Sequence, residues 1–188
     1  MRYHESSSLF NSTWDQMMQA MWQRYPNPLS AHVLSEDTLC REVVDGKLHS
    51  TRLIIKTNRL PKWGERIVSA TKVAVIEHSC IDPKTKIMDT YTSNVGLTKF
   101  MSCIERVTYR PSINNPSVTV AERKTWIDSK IFGFGYAIQK FGMDRYKKNI
   151  GKTDAGLIYV LAKMFPRPIT LQQQDLSVAG PHSATHKQ

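Results

Sequence analysis

The sequence predicts a single α+β domain in which one antiparallel β-sheet is covered by a long C-terminal helix. The middle of the chain reads as consecutive antiparallel strands separated by turn signals. From about residue 132 to 165 the pattern becomes helical, and Pro166 and Pro168 end it. A single antiparallel sheet has one face to cover, and the long helix is the natural cover.

An amphipathic helix is predicted near the N-terminus, after a first strand. Thr13 and Gln16 have the spacing of a capping box. Large side chains then recur at helical spacing, namely Trp14, Met17, Met18, Met21, Trp22 and Tyr25. Pro26 ends this helix because its ring clashes with the preceding turn.

Turn signals divide the strand region. The predicted strands are 41–44, 47–56, 71–81, 86–95, 100–109 and 118–129. Asp45-Gly46 is a two-residue hairpin signal, since both turn positions require positive φ. Residues 60–70 interrupt the strands as a short helical or irregular excursion. The domain is predicted to span 1–165, and the polar stretch 166–188 is expected to be a flexible tail.

Composition indicates one ordinary folded domain. A chain of 188 residues with 40% hydrophobic content buries about two-thirds of its unfolded surface. No apolar run approaches the roughly 18 residues of a membrane span. The first ten residues contain Arg2 and Glu5 and no apolar core, so neither a secretory signal nor a transit peptide is expected. The three cysteines lack metal or redox spacing and are interpreted as small buried hydrophobes: Cys40, Cys80 and Cys103.

The chain is strongly basic. Its 26 Lys and Arg residues exceed its 16 Asp and Glu residues by ten. The predicted tail contributes only Arg167 and Lys187 against Asp175, so the charge belongs to the folded part. A positive surface favours anionic partners, which include nucleic acid, an anionic lipid surface and an acidic protein. Charge alone does not choose among them.

No motif of an enzyme or of a cofactor site is present. The sequence has no P-loop, GxSxG elbow or HExxH, and its strand acids are scattered. Gly133-Phe134-Gly135 lacks the third glycine of a dinucleotide fingerprint and is interpreted as a flexible entry into the long helix. His78 and Cys80 share a strand face, but two potential ligands make a poor metal site. We expect no catalysis, cofactor or metal.

Several separated motifs resemble the PRELI-like (PRELI/Slowmo) family. They are the helix that begins after Thr13, Arg24-Tyr25-Pro26-Asn27-Pro28, His32-Val33-Leu34-Ser35 and Arg52-Leu53-Ile54-Ile55-Lys56-Thr57-Asn58-Arg59-Leu60-Pro61-Lys62-Trp63. They match in order, and the resemblance spans about residues 1–165. It implies a helix-grip, START-like lipid carrier whose curved sheet grips the C-terminal helix around a lipid cavity with a lid loop. It also implies a location in the mitochondrial intermembrane space.

The resemblance implies a phospholipid headgroup site at seven positions: Arg24, His32, Lys56, Arg59, Arg145, Lys148 and Lys152. A phosphate monoester is a dianion that requires several charge-assisted donors, and Arg engages it bidentately. His32 adds a donor that depends on its protonation. The residues alone leave simpler interpretations open, because a stripe of the long helix that turns from Ile138 to basic residues is also typical of a solvated face.

The segment 60–70 matches the family's mobile lid over the cavity mouth. The predicted lid and membrane contacts are Leu60, Lys62, Trp63, Arg66 and Ile67. A diacyl lipid exposes roughly thirty methylenes at about 0.8 kcal/mol each, so a carrier must shield on the order of 20 kcal/mol. Trp63 beside two cations suits an interfacial anchor, and packing on the domain is the alternative.

The resemblance is closest to the PRELI branch, through Trp22-Gln23-Arg24, Thr57-Asn58-Arg59-Leu60-Pro61 and Phe141-Gly142. This branch implies transfer of phosphatidic acid from the outer to the inner mitochondrial membrane, in support of cardiolipin synthesis. The Slowmo branch handles phosphatidylserine, and the sequence does not show the pocket depth on which headgroup choice depends.

The resemblance also implies two partners besides the lipid, an anionic membrane that the protein binds peripherally and a small twin-cysteine-motif helical-hairpin protein that forms a heterodimer with it. A basic nucleic-acid-binding module is an alternative from another class, but no RNP-like run, zinc finger or Arg-Gly repeat supports it, so no nucleic acid is expected. A scaffold or regulator without transfer is a third hypothesis.

Overall fold

The computed structural model describes residues 1–57, 70–98 and 100–166. Within these ranges seven antiparallel strands form one sheet in the order β1-β7-β6-β5-β4-β3-β2. The strands are β1 (Arg2–Phe10), β2 (Val33–Val44), β3 (Lys47–Thr57), β4 (Lys72–Asp82), β5 (Ile87–Asn94), β6 (Ser102–Pro111) and β7 (Thr119–Asp128). The helices are α1 (Trp14–Trp22), a 3₁₀ helix (Pro28–Ser30) and α2 (Gly135–Met164). The predicted fold class is confirmed.

Strand β2 begins at Val33, eight residues before the predicted strand 41–44. Two of the other boundaries differ from the prediction for local reasons. The strand predicted from residue 100 begins at Ser102, because Leu97 adopts a positive φ and its carbonyl accepts the amides of Phe100 and Met101. The long helix begins at Gly135, three residues later than predicted, since Gly133 has a φ of 77° that a helix does not allow.

Helix α1 closes one end of the sheet. Its capping box is present, with Thr13 Oγ1 accepting from the Gln16 amide at 3.3 Å and Gln16 Oε1 accepting from the Thr13 amide at 3.1 Å. Trp14 is buried and donates its indole N–H to the Tyr109 carbonyl at 3.2 Å. The main apolar core lies here, where α1 meets the C-terminal half of α2 and the strand ends; it includes Phe10, Met17, Met21, Ile81, Met88, Leu157 and Leu161. We call this the core end of the sheet.

Polar contacts tie α2 across the sheet. Arg123 on β7 is almost fully buried and donates to Asp154 on α2 and to Ser8 Oγ on β1, the latter at 2.8 Å. Ser8 in turn donates to the Asp154 carboxylate at 2.6 Å. A charge this deeply buried requires such partners. The contacts therefore set the position of the helix over the first and last strands.

Two glycines let α2 approach its neighbours closely. A Cβ at Gly142 would lie 2.5 Å from Met101 Sδ and 3.0 Å from Ile127 Cγ2. A Cβ at Gly156 would lie 3.2 Å from the Asn27 and Ser30 side chains. The segment that follows α1, which contains a cis Tyr25-Pro26 bond, thus packs directly on the long helix. None of the helices in the described part of the chain is long and apolar enough to span a membrane.

The interpretation of the cysteines is wrong for Cys40, which is exposed on β2. This strand forms one edge of the sheet, and residues 37–44 are exposed on both of its faces. No neighbouring element among the described residues covers this part of β2, so its Cys and apolar residues face solvent. Cys80 and Cys103 are half-buried.

The close approach at Gly142 predicts a position-specific cost of adding a side chain. Gly142→Val should lower the free energy of unfolding by about 1–3 kcal/mol, because Ile127 and Met101 must move to admit the new atoms. Gly151→Val is the matched control in the same helix, since nothing lies within 4 Å of a Cβ there. Valine has a higher helix propensity than glycine, so the control should change stability by less than about 0.5 kcal/mol. Urea denaturation measures both, and equal stabilities of the two variants would contradict the packing described here.

Candidate lipid-binding cavity

A cavity lies between α2 and the face of the sheet that it covers. The centre of a water molecule can occupy about 230 Å³ of it. Its wall combines apolar side chains with hydroxyl and amide groups, including Ile54, Val73, Val75, Met101, Val107, Ile127, Ile150, Thr90, Thr92, Asn94, Asn149 and Thr153. The apolar core fills the core end, so the cavity lies toward the opposite end of the sheet.

That opposite end we call the mouth end. It is where β3, β5 and β7 end and where β1, β2, β4 and β6 begin. Cavity-lining residues reach it on three neighbouring strands, at Thr57, Val73 and Asn94. The segment predicted to be the lid connects β3 to β4 in the chain, and all of it except residue 70 lies outside the described residues.

Four of the predicted headgroup residues come together at the mouth end. His32 precedes β2, and Lys56 lies near the end of β3, where the Thr57 amide donates to the His32 carbonyl at 2.8 Å. Burial lowers the pKa of His32, and the positive charges of Lys56, Lys152 and Arg145 lower it further. His32, Lys56 and Arg145 line the cavity, whereas Lys152 is exposed on α2 but close enough to act on His32. We call these four residues the cationic cluster.

Lys148 is not brought into this cluster. It is exposed on α2 and, within the described part of the chain, belongs neither to the cavity lining nor to the charges that shift the pKa of His32. Lys148 and Lys152 lie one helical turn apart but not on the same line along the helix. Arg59 and the predicted lid residues Leu60, Lys62, Trp63, Arg66 and Ile67 lie outside the described residues.

Arg24 occupies the cavity wall, but its guanidinium is held by carboxylates. One terminal nitrogen contacts Glu36 at 2.6 Å and Glu77 at 2.9 Å, and Nε donates to Glu36 at 3.1 Å. Arg52 joins both carboxylates, donating to Glu77 and approaching Glu36 at 3.1 Å. We call Arg24, Glu36, Arg52 and Glu77 the buried ion quartet. In this arrangement the quartet joins β2, β3 and β4 to the segment after α1.

The quartet lies against aromatic rings, and its two Arg side chains keep the Glu77 carboxyl ionised. Arg52 stands 5.0 Å from the centre of the Trp22 ring, and Arg24 stands 5.0 Å from that of Tyr25. Burial alone would raise the pKa of the Glu77 carboxyl, but the charges and hydrogen bonds of Arg24 and Arg52 outweigh it and lower the pKa below 4.5. The carboxylate is therefore ionised at neutral pH.

Sequence reasoning missed Arg52, Glu36 and Glu77 as parts of the site. One signal was available, because Arg52 has the same alternation phase on β3 as the inward-facing Ser50 and Ile54. An inward-facing Arg requires a buried acid, but the identity of that acid depends on strand register. Register places Glu77 directly opposite Arg52.

A second polar pair crosses the cavity. The hydroxyl of Tyr146 on α2 donates to Glu105 on β6 at 2.6 Å. Burial raises the pKa of Tyr146, and the charge of Glu105 raises it further. Burial, together with the Glu105 charge, also raises the pKa of Cys103 to about 11. The thiol stays protonated at neutral pH, which makes it a poor nucleophile.

The described residues contain no group of three His, Cys, Asp or Glu side chains arranged to hold a metal ion. The arrangement that they do form is a partly apolar cavity. It offers an apolar wall, hydroxyl and amide groups, and a set of cations at the mouth end.

The sheet and its gripped helix define the class of the protein as a START-like helix-grip fold. A START superfamily protein from Mycobacterium smegmatis superposes with a TM-score of 0.53 over 86% of this chain and 98% of its own, at 11% identity. At this identity the likeness concerns the fold alone.

The family follows from sequence. The model of the PRELI-like family matches residues 15–167, and this chain belongs to that family. It is 44% identical over 167 residues to chicken (Gallus gallus) "PRELI domain-containing protein 1, mitochondrial", covering 87% of this chain and 78% of the relative. It is 31% identical over 163 residues to Saccharomyces cerevisiae "Protein UPS1, mitochondrial", covering 86% of this chain and 93% of that one.

The buried ion quartet predicts an acid-sensitive stability. Glu77→Gln leaves two buried guanidinium groups with one carboxylate and should cost about 3–5 kcal/mol of unfolding free energy. Because the folded-state pKa of Glu77 lies below the unfolded value, its contribution is present above pH 4.5 and is lost as pH falls through the folded pKa. Urea denaturation from neutral to acid pH measures both effects.

The matched control for this substitution is Glu122→Gln, which removes the carboxylate of an exposed pair with Arg110. An exposed pair contributes only about 0–1 kcal/mol. The proposed role of the quartet fails if the two variants lose equal stability, or if the wild type and Glu77→Gln show the same loss of stability below pH 4.5.

Proposed function

We propose that this protein transfers phospholipids between membranes, with phosphatidic acid as its preferred cargo. The observation that carries the proposal is the cationic cluster at the mouth end of a partly apolar cavity. An amphiphile with an anionic head and apolar tails matches both parts of this site. We further propose that the protein acts as a carrier and does not convert the lipid chemically.

The composition of the cluster supports a phosphate monoester as the headgroup of the bound lipid. Lys56, Arg145 and Lys152 supply charge-assisted donors, and His32 supplies another when it is protonated. A phosphomonoester carries up to two negative charges, so each added cation increases the attraction. Phosphatidylserine instead has a singly charged phosphodiester, and the ammonium and carboxylate groups of its serine offset each other. This difference favours phosphatidic acid over phosphatidylserine.

The cavity must widen to hold a diacyl lipid. Its volume of about 230 Å³ is below the roughly 300–1,000 Å³ typical of sites for small molecules. Two acyl chains left in water would cost on the order of 20 kcal/mol. Loading therefore requires α2 and the sheet to separate while the protein rests on the bilayer, and release follows the same path in reverse.

Location and partners complete the proposal. The relatives named mitochondrial support a mitochondrial protein. We place it in the intermembrane space, carrying phosphatidic acid from the outer to the inner membrane for cardiolipin synthesis. A small twin-cysteine-motif helical-hairpin protein would form a heterodimer with it, as membership of the family suggests.

The direct experiment measures transfer of labelled phosphatidic acid and phosphatidylserine between donor and acceptor liposomes, with and without the helical-hairpin partner. Selective transfer of phosphatidic acid would support the proposal. Selective transfer of phosphatidylserine would retain the carrier and overturn its headgroup preference. If the folded protein transferred neither lipid in the presence of the partner, the carrier function would be wrong and a scaffold would replace it.

Two lysines on α2 allow a matched test of the cationic cluster. Lys152→Glu reverses a charge that acts on His32, whereas Lys148→Glu makes the same change one turn away, outside the cluster. We expect Lys152→Glu to reduce transfer of phosphatidic acid by about tenfold or more, since hydrogen bonds to charged groups contribute about 1.5–3 kcal/mol. Lys148→Glu should stay within about twofold of the wild type.

Both lysine side chains are exposed, so neither variant should lose its fold, and circular dichroism checks this. Equal transfer rates for the two variants would remove Lys152 from the headgroup site.

His32 should report the arrival of a phosphate. Its pKa is lowered in the free protein by burial and by neighbouring cations, so the ring is neutral at pH 7. A bound phosphate favours the imidazolium and raises this pKa. By linkage, affinity for the lipid rises as pH falls through the pKa of His32, and this component is absent from His32→Gln. Comparing the pH dependence of lipid affinity in the wild type and in His32→Gln therefore separates the contribution of His32 from the titration of the phosphate itself.

Nuclear magnetic resonance of the ring protons measures the shift, with soluble short-chain phosphatidic acid as the ligand. His49 is the internal control, because it lies on β3 with its side chain toward the opposite face of the sheet from Arg52 and Ile54. An unchanged pKa of His32 at saturating lipid would exclude it from the headgroup site.

A further inference from the structure

Three aromatic side chains at the entry to α2 are largely exposed. Phe132 is 101% exposed, Phe134 55% and Tyr136 74%. They alternate with Gly133 and Gly135 over five residues. Isolated apolar residues on a surface are common, but a contiguous set of three aromatic rings is typical of a site that something else covers.

The chain holds these rings in a defined turn. The Phe134 amide donates to the Ile131 carbonyl at 3.3 Å, and Gly133 adopts a φ of 77° that favours glycine. The turn is anchored at its base, where Ser129 Oγ donates to the Phe100 carbonyl at 2.6 Å. Its hydrogen bonds hold Phe132 at the tip, so presenting this ring to a partner requires no large rearrangement.

The turn lies at the mouth end of the sheet. It follows directly after β7, which ends at Asp128, and strand β1 begins beside that end. The cationic cluster and the cavity-lining residues Thr57, Val73 and Asn94 lie at the same end. Val95, which follows β5, adds a further exposed apolar side chain there.

The surroundings of the rings are cationic. Lys130 and Lys140 are exposed on either side of them, and the Arg2 guanidinium stands 4.8 Å from the centre of the Tyr136 ring. The nearest strand acid, Asp128, is paired with the N-terminal ammonium group at 3.2 Å. Aromatic rings concentrate at membrane interfaces, and cations are attracted to anionic headgroups. The patch therefore complements an anionic bilayer in both respects.

We infer that residues 130–136 form a membrane-docking loop that seats the mouth end of the protein on an anionic bilayer. The inference rests on the proposed function and names a contact separate from the predicted lid. Insertion of Phe132 and Phe134 into the headgroup region, with Lys130 against lipid phosphates, would hold the cavity toward the membrane from which a lipid is taken.

The experiment measures flotation with vesicles of phosphatidylcholine, with and without phosphatidylglycerol. Phosphatidylglycerol supplies anionic charge without a phosphomonoester, so binding reports the surface and not the cargo. The test variant is Phe132→Ser/Phe134→Ser, and Phe132→Ser alone is a second variant at a fully exposed position. Ile113→Ser is the matched control, because Ile113 is 89% exposed in the loop after β6, at the core end of the sheet.

Two charge-reversal variants complete the experiment. Lys130→Glu tests the loop, and Lys84→Glu is its control in the turn after β4, also at the core end. We expect the double Phe variant to lower the vesicle partition coefficient at least about tenfold, given the free energy of burying even one Phe side chain. Lys130→Glu should lower it about fivefold on anionic vesicles and little on neutral ones. Both controls should bind as the wild type does.

A second measurement separates this inference from the proposed function. Calorimetry without any bilayer measures how the wild type and the double Phe variant bind soluble short-chain phosphatidic acid. Retained lipid binding together with lost flotation would support the docking loop. Flotation of the double variant equal to that of the wild type would overturn it. The inference would also be overturned if light scattering showed that the wild type is a dimer and the double variant a monomer, while both floated equally. The patch would then join two copies of the chain. A wild type that floats but binds no short-chain lipid would refute the carrier function and leave the docking loop standing.

Discussion

The buried ion quartet is the interaction on which the arrangement of the site depends. It joins the segment after α1, through Arg24, to β2, β3 and β4. Because two guanidinium groups face two carboxylates, removing any one partner leaves an uncompensated charge that is largely buried. The quartet thereby holds the segment 24–32 against the sheet, where Asn27 packs on Gly156 and the His32 carbonyl meets the end of β3. It gives the cationic cluster its rigid base.

A division of the sheet into two ends follows from the packing of the helices. Helix α1 and the C-terminal half of α2 bring their apolar side chains together at the core end, which the Trp14 indole and the buried Arg123 tie to the strands. Toward the mouth end, hydroxyl, amide and charged groups line α2 and the strands, and these side chains do not close into a dry core. The cavity therefore lies where the core stops.

The charges of the site have two different uses. Those of the quartet are balanced and deeply buried, so they hold the structure together. Those of the cationic cluster place three cations around one half-buried imidazole, and together with burial they lower the pKa of His32. The sequence-based prediction grouped Arg24 with the cluster, because the sequence does not show whether an Arg side chain is paired with a carboxylate in the folded protein. Lys148 was grouped with it because Arg145, Lys148 and Lys152 follow one another at helical spacing, and this spacing does not show that Arg145 lines the cavity while Lys148 is exposed.

The sequence by itself determined the order of elements, the capping box of α1, the long C-terminal helix and the family, because each depends on local periodicity or on motifs read along the chain. The family resemblance also grouped His32, Lys56, Arg145 and Lys152 with Arg24, Arg59 and Lys148 as one headgroup site, which stays a prediction. Only the tertiary structure decided that Arg24 pairs with Glu36 and Glu77, that Glu105 accepts from Tyr146 and that the aromatic rings after β7 stay uncovered. These facts depend on strand register and on how far each helix reaches, and both are set by contacts between residues distant in sequence.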